Sequence, residues 1–239
     1  MTTKSAMRPL AVFLVSASLS VLPPGARVLR SQALTGTTGL VTIPTAAMPP
    51  DGSATIGVHW IDPRYHRSPY GDNTAIYEFA DIGFLPFVEV GLRLTRVLDT
   101  PDQALGDRMV SVRFRLLEER ARTPAVVVGA HDLVGTRIYH TTYVAASKEI
   151  GEVPLVGAVG LNVGYGGQWL GVRAKGEQFQ GFFGGVSVSP RPWIALLAEH
   201  DGERVNAGAR LRVWRLNLLG AAYGMDGLSG GISYTHQLK

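Results

Sequence analysis

The sequence predicts an all-β protein: an antiparallel up-and-down β-barrel of about 12 strands, of the outer-membrane type. Apolar residues occupy every second position in one segment after another, which is the period of a strand with one apolar and one polar face. The 29 glycines follow no fixed repeat, and no run has helical spacing long enough for a βαβ unit. An N-terminus typical of exported proteins is the third observation that favours this class.

The N-terminus has the features of a cleaved export signal. Lys4 and Arg8 precede the largely apolar run Pro9–Leu22, and Ser31–Ala33 has small residues at the positions that a signal peptidase reads. The run is about 14 residues long, short of the ~20 that a spanning helix requires. Residues 1–33 are therefore predicted to be a signal peptide, and the chain is predicted to reach the outer membrane.

The composition excludes several classes of function. The sequence contains no Cys, which rules out disulfides, zinc–cysteine sites and thiol catalysis. The first 33 residues hold four of the 23 basic residues and no acid, so the remainder balances at 19 basic and 19 acidic residues. A balanced charge argues against a nucleic-acid partner. No cofactor and no metal site is predicted.

The barrel is predicted to occupy residues 53–239. Its clearest strands alternate strictly: Ser53–Trp60, Phe87–Arg96, Arg108–Leu117, Val205–Val213 and Leu228–Thr235. Weaker strands are predicted at Ala75–Ile82, Pro124–Asp132, Tyr139–Lys148, Leu155–Tyr165, Phe179–Ser189, Trp193–His200 and Asn217–Tyr223. Short connections with turn pairs such as Asp226-Gly227 imply that consecutive strands pair as antiparallel neighbours.

The polar face decides between a soluble barrel and a membrane barrel. It combines Gly and Ser with Arg and Glu, whereas the outer face of a soluble protein is usually richer in Lys and Glu. We therefore expect the polar face to line a lumen, with these candidates: Glu89, Arg93, Arg113, Arg115, Arg210 and Arg212. The arginines either attract anionic ligands or form ion pairs with Glu78, Glu89 and Glu199 that close the lumen. On the same grounds Val112→Arg should impair insertion far more than Arg113→Val.

Aromatic residues near strand ends are the candidates for interfacial girdles. They are few: Trp60, Tyr77, Tyr143, Trp193, Trp214 and Tyr223.

Residues 34–52 form a proline-rich segment before the first strand. Pro44, Pro49 and Pro50 prevent helix formation and interrupt sheet pairing. Because unpaired backbone does not face lipid, the segment is predicted to be a plug or latch inside the barrel or at its mouth. The Asp51-Gly52 turn then leads into the first strand.

The same segment carries a family resemblance. Gly39–Ala46, which includes Pro44 and Thr45, and then Pro50–Gly52 resemble the N-terminal signature of the YjbH family of outer-membrane proteins, which are linked to exopolysaccharide and capsule production. The similarity continues, in order, at Arg113–Leu117, Pro124–Val126, Gly129–Thr136, Tyr143–Lys148 and Ala198–Gly202. The resemblance implies a barrel associated with polysaccharide export or secretion, and it offers no catalytic residues to transfer. Family members are typically longer, with a second barrel-like region, and many begin as lipoproteins.

Other polar residues offer weaker candidates. His131-Asp132 and Glu199–Asp201 lie at strand ends, where they suggest a metal or a general base, but no nucleophile elbow or His pair accompanies them. We interpret them as rim residues that bond to turns. In the loop Asp62–Asn73, Tyr65 and Tyr70 are predicted to contact saccharide. The acidic stretch Asp99–Asp107 does not have the spacing of an EF-hand.

The leading hypothesis is a non-catalytic outer-membrane barrel that acts as a pore, plug or scaffold, with lipid and polysaccharide or export machinery as partners. Two alternatives stay open. One is a lipid-facing enzyme of the acyl hydrolase type, and the other is a soluble periplasmic β-protein that binds a partner.

Overall fold

A computed structural model describes residues 31–65, 67–68, 71–98, 105–171 and 178–238. The predicted signal up to residue 30, Tyr70 and most of the acidic stretch 99–107 lie outside these residues.

The described residues form one closed antiparallel barrel of 12 strands, which confirms the predicted fold class. Each strand pairs with its neighbour in sequence, and β14 returns to pair with β1. The barrel strands are β1 (Ser53–Ile61), β4 (Ala75–Phe84), β5 (Val88–Val97), β6 (Leu105–Leu117), β7 (Ala125–Gly135), β8 (Thr141–Val153), β9 (Gly157–Gly167), β10 (Gly181–Arg191), β11 (Ile194–His200), β12 (Val205–Val213), β13 (Leu216–Tyr223) and β14 (Gly227–Gln237). A two-stranded hairpin, β2 (Arg67–Ser68) with β3 (Gly71–Asp72), lies between β1 and β4. Among the described residues no helix is long and apolar enough to cross a membrane.

In the strands that alternate most clearly, such as β1, apolar side chains point outward and polar side chains inward, whereas other strands also bury apolar side chains inside, among them Val127, Phe183 and Leu197. In β1, Ile56 is 60% exposed and Trp60 43%, whereas Thr55 and His59, on the alternate positions, are each 2% exposed. The alternation that identified the strands therefore has the opposite sense to that of a water-soluble protein, in which the apolar face is buried.

The barrel has two distinct ends. At the near end β1 begins, β14 finishes and the strands are joined by short turns such as 85–87, 154–156 and 214–215. At the far end the connections include the longer 62–74 and 168–180.

The interior is occupied by the chain itself. Residues 31–50, called here the luminal segment, fold back on themselves through isolated bridges between Gln32 and Thr38 and between Gly39 and Pro44. Their apolar side chains are fully buried: Leu34, Val41 and Ile43 are each 0% exposed. The segment includes Ser31–Ala33, which are buried as well, although the sequence assigned them to the signal peptide.

Wall glycines leave room for this segment. A Cβ atom added at Gly185 would lie 2.6 Å from Leu40 Cδ1, and one added at Gly208 would lie 3.0 Å from Val41 Cγ2. Glycine at these two inward positions therefore accommodates specific side chains of the luminal segment.

The aromatic candidates divide between the two faces. Trp60, Trp193 and Trp214 point outward and are 43%, 54% and 73% exposed. Tyr77 and Tyr143 are buried in the interior together with Tyr223, so the prediction of a girdle position is wrong for these tyrosines.

Candidate functional site

The candidate site is the contact between the luminal segment and the inner wall, and its first anchor is an ion pair. Arg113 Nε lies 2.9 Å from a Glu89 carboxylate oxygen, and both side chains are at most 1% exposed. Glu89 accepts the N–H of Thr38 at 2.7 Å, while Arg113 donates to the carbonyls of Thr38 and Ala47. The pair, contributed by β5 and β6, therefore holds the luminal segment by its main chain.

A second anchor is Arg210 on β12. Its guanidinium donates to the carbonyls of Gln32, Gly39 and Leu40 at 3.2, 3.1 and 2.8 Å. Arg210 is 1% exposed. One side chain thus fastens two separate turns of the luminal segment.

The third anchor is the Glu199 carboxylate on β11. It accepts the N–H groups of Val41 and Thr42 at 2.8 and 2.7 Å and the Thr42 hydroxyl at 2.5 Å. Asn206 donates to it from the neighbouring strand at 3.1 Å. We expected Glu199 to pair with an arginine, but its main partners are backbone amides of the luminal segment.

Neutral side chains complete the attachment. Asn162 Nδ2 donates to the Pro44 carbonyl at 3.0 Å, and Ser147 Oγ accepts the Ala46 N–H at 2.7 Å. Ser147 in turn donates to Asn162 at 2.7 Å.

Arg93 is a fourth charged anchor of the luminal segment. It pairs with Asp107 at 3.2 Å, lies 4.0 Å above the Tyr77 ring and reaches the Thr35 carbonyl at 3.4 Å. Asp107, the last residue of the acidic stretch, is therefore buried in the interior and paired with Arg93.

The six predicted luminal residues do not all have the same surroundings. Glu89, Arg93, Arg113 and Arg210 are buried against the luminal segment. Arg115 and Arg212 face inward but are only half-buried. Glu78 lies on the outer face, where it pairs with Arg96 at 3.1 Å, so its place in the predicted internal network is wrong. The reason is strand parity, since Glu78 lies between the inward Tyr77 and Phe79.

The residues of the plug motif each have a structural role. Gly39 has no room for a side chain, because an added Cβ would lie 2.3 Å from the Ile43 carbonyl oxygen. Pro44 presents its carbonyl to Asn162, and Thr45 is buried. Asp51 and Gly52 make the turn into β1, where Gly52 adopts a φ of 67° and donates to the Gly83 carbonyl.

Tyr65 is placed differently from the prediction. It is 6% exposed and packs edge-on against Tyr223, with ring centroids 4.6 Å apart, at the inside of the far end. Burial raises the pKa of Tyr65 well above its usual value. The ring therefore faces the barrel interior and does not project from the surface of the loop.

The histidine clusters behave as rim and interior residues. Asp132 accepts the Tyr139 N–H at 3.0 Å, and Asp201 accepts those of Glu203 and Arg204 at 3.0 and 2.8 Å. Ser111 Oγ lies 3.2 Å from His131 Nδ1, but His131 Nε2 has no hydrogen-bond partner. In the described part of the chain no group of three or more His, Asp or Glu residues is arranged to hold a metal.

Two cavities border the luminal segment, one toward each end of the barrel. The near cavity, about 240 Å³, is lined by Ala46, Met48, Arg115 and Lys148 among others. The far cavity, about 150 Å³, is lined by Thr42, Tyr65 and Gln178 among others. Between them the segment is buried.

Comparison with known proteins shows which family the chain resembles. Residues 31–213 match the YjbH family, described as "Exopolysaccharide biosynthesis protein YbjH". A curated relative from Escherichia coli (strain K12), "Uncharacterized lipoprotein YjbH", is 32% identical over 145 residues, which is 56% of this chain and 19% of the relative. The chain thus spans about a fifth of that relative's length.

A solved structure reported as "De novo design of transmembrane beta-barrels" covers 80% of this chain and 100% of its own, with 9% identity and a TM-score of 0.28. At that score the likeness carries no argument, and the barrel assignment rests on the strand pairing. The resemblance of the proline-rich signature is confirmed by the match over residues 31–213. The chain belongs to the YjbH family.

Proposed function

We propose that this protein is a non-catalytic outer-membrane barrel whose lumen is closed by its own luminal segment, and that it serves exopolysaccharide export or secretion as a plugged scaffold. An N-terminal signal peptide directs its export in this proposal. Outer-membrane lipid surrounds the wall, and polysaccharide or export machinery is the partner.

The observation that carries the proposal is the anchoring of the luminal segment by buried charges. Glu89, Arg113, Glu199 and Arg210 are each at most 3% exposed, and each bonds to main-chain groups of the segment. A buried charge without a partner is strongly unfavourable, so these side chains require the segment to stay in place.

The outer face supports a membrane location. Large apolar side chains are exposed on strand after strand, including Leu92 at 50%, Val163 at 62% and Leu196 at 50%. Contiguous apolar surface on this scale is unfavourable in water and is what a lipid-facing barrel requires.

The association with polysaccharide comes from the family. Its description names exopolysaccharide biosynthesis, and the Escherichia coli relative is called a lipoprotein. Because the chain spans a fifth of that relative, the role of the whole relative is transferred only as part of this proposal.

The two alternatives have less support. Ser111 contacts His131, but both residues lie inside the barrel. A membrane hydrolase would need such a pair on the lipid face. A soluble β-protein would leave the apolar outer face in water.

Planar-bilayer conductance tests the closed state. We expect the full chain to be silent, and a variant lacking residues 39–48 to conduct because the lumen loses its contents. Since the deletion removes many contacts, Glu199→Gln serves as a milder second variant: it weakens one anchor and should give brief openings. Arg115→Val, at the near mouth, is the control and should stay silent.

Steady conductance of the unaltered chain would contradict the plug. Silence of a correctly inserted deletion variant would also contradict it. The membrane location is tested separately, since a monomer that stays soluble without detergent and lacks heat-modifiable gel migration would refute it.

A further inference from the structure

The far cavity contains groups that none of the anchors uses. Its wall combines the rings of Tyr65, Phe179 and Tyr223 with the polar side chains of Gln178 and Asp201. Its volume of about 150 Å³ suits one small ring rather than a long chain. Small-molecule sites typically combine mainly apolar walls with a few placed polar groups.

The aromatic rings of the wall are packed against other rings. Tyr65 and Tyr223 meet edge-on at 4.6 Å, and Phe179 meets Tyr143 edge-on at 5.6 Å. Such rings offer flat apolar area with a polar tip. A sugar ring, with apolar C–H faces and hydroxyls at its edge, has the complementary distribution.

The polar part of the wall is unsatisfied. The Tyr65 hydroxyl and both amide atoms of Gln178 have no hydrogen-bond partner, although the residues are only 6% and 8% exposed. Gln178 faces His131, yet His131 Nε2 is unpartnered too, so the two side chains form no aligned bond. Buried polar groups are almost always paired, so an unpaired set beside a cavity points to a hydrogen-bonding occupant.

The carboxylates at the rim of the cavity favour a neutral sugar over an acidic one. Asp201 and Glu203 line the cavity, and the Asp201 oxygens are already held by the N–H groups of Glu203 and Arg204 and by Asn206. Arg204 lies 3.6 Å from Glu203 and so offsets part of this charge. Carboxylates beside the cavity repel an acidic sugar, whereas a neutral one suffers no such penalty.

We propose that the far cavity binds one neutral sugar unit, packed on Tyr65 and Tyr223 and hydrogen-bonded by Gln178 and the Tyr65 hydroxyl. The inference rests on the proposed association with exopolysaccharide and gives that association a location. The luminal segment forms its floor through Thr42, which lines the same cavity.

Saturation-transfer NMR on the full chain in detergent micelles tests the site. The probes are the methyl glycosides of glucose, galactose and N-acetylglucosamine, with methyl glucuronide as the acidic counterpart. We expect transfer to at least one neutral probe and none to the glucuronide. Absence of transfer to all the neutral probes, or equal transfer to the glucuronide, would overturn the proposal.

Two variants remove the unpartnered groups. Tyr65→Phe and Gln178→Met should each weaken the binding neutral probe by about tenfold, the usual effect of one lost hydrogen bond. Because the Tyr65 hydroxyl lacks a partner, Tyr65→Phe should not lower the melting temperature. Tyr77→Phe is the matched control: its ring lies 6.5 Å from Tyr65 but does not line the cavity, so binding should persist.

Wild-type affinity in both variants would mean that the probe binds outside this cavity, and the proposal would fall. The conductance experiment remains independent of this one. A silent barrel that binds no sugar refutes only the site, whereas a conducting barrel that binds sugar refutes only the plug.

Discussion

The two faces of strand β6 follow opposite rules. Phe114 points outward and is 46% exposed, whereas its neighbour Arg113 points inward and is 0% exposed. The outward residue makes no specific polar contact that fixes its identity. The inward residue bonds to Glu89 and to the carbonyls of Thr38 and Ala47.

The two faces therefore restrict their side chains in different ways. In the proposed membrane barrel any apolar side chain of suitable size serves the outer face, because lipid adapts to its shape. The inner face must match particular amides and carbonyls of the luminal segment, since a buried polar group without a partner is costly. Substitutions should therefore act through different mechanisms on the two faces.

The largest effect is expected inside, at Arg113→Val. The change leaves Glu89 buried without its ion-pair partner and two carbonyls without a donor, which should lower the unfolding free energy by about 3–5 kcal/mol. Thermal unfolding in detergent, followed by heat-modifiable migration, measures the loss. This reverses the sequence-based expectation that Arg113→Val is mild. A loss below that of Arg115→Val would contradict the anchoring.

Val112→Arg tests the outer face of the same strand. A charged side chain near the middle of a lipid-facing wall costs about 2–4 kcal/mol, so insertion into vesicles should fall sharply. The matched control is Arg115→Val on the inner face, whose guanidinium contacts Glu118 at only 3.8 Å and should be replaceable. Equal insertion of Val112→Arg and wild type would mean that this face does not meet lipid.

Gly208→Val tests the fit between wall and luminal segment. The new side chain collides with Val41, because even a Cβ atom would lie 3.0 Å from Val41 Cγ2, and such overpacking costs about 1–3 kcal/mol. Gly220→Ala is the control, since nothing lies within 4 Å of its added Cβ. The melting temperature should fall only for the first variant, and a similar fall in both would remove the distinction between the faces.

Asp81→Asn should raise stability. Asp81 is 1% exposed, neither carboxylate oxygen has an aligned hydrogen-bond partner, and the carboxyl faces Glu89, Gln32 and Arg113. An amide removes one buried acid beside another and supplies a donor, for a gain of about 1 kcal/mol. Denaturant unfolding in micelles measures it. Destabilisation would show that the Asp81 charge is needed to balance Arg113.

The smallest effect concerns the pH dependence at the far end. Arg64 donates to Asp62 at 2.9 and 3.1 Å and thereby lowers the pKa of the Asp62 carboxyl. A lowered folded-state pKa means that the stabilisation is present above the unfolded pKa and is lost as pH falls through the folded one. The exposed position of Arg64 keeps the effect small. Asp62→Asn should flatten this slight acid dependence of the melting temperature, and an unchanged slope would contradict the assignment.

Much of the wall could be predicted because strand parity is a local property. The β12 strand was predicted at its observed bounds, Val205–Val213, and the inward position of Arg210 followed from the alternation. Glu78 was misplaced because the alternation of its own strand is weak, so its outward position between Tyr77 and Phe79 was not recognised. Asn162 and Ser147 were missed, since a lone amide or hydroxyl on a glycine-rich strand carries no signal of its own.

The far end could not be predicted from local pattern. Tyr65 follows a strand within a polar loop, and only the return of β14 beside β1 brings Tyr223 against its ring. Glu199 was recognised as a possible luminal acid, but its partners lie 157 and 158 residues away along the chain.

The sequence by itself determined the strand period, the number of barrel strands, the sense of the two faces and the family signature at Gly39–Ala46. These follow from alternation and from the backbone limits of proline and glycine, which act over a few residues. Only the tertiary structure decided which charge holds which turn of the luminal segment. That choice depends on barrel closure, which sets distant side chains within hydrogen-bond reach and removes the water that would otherwise satisfy them.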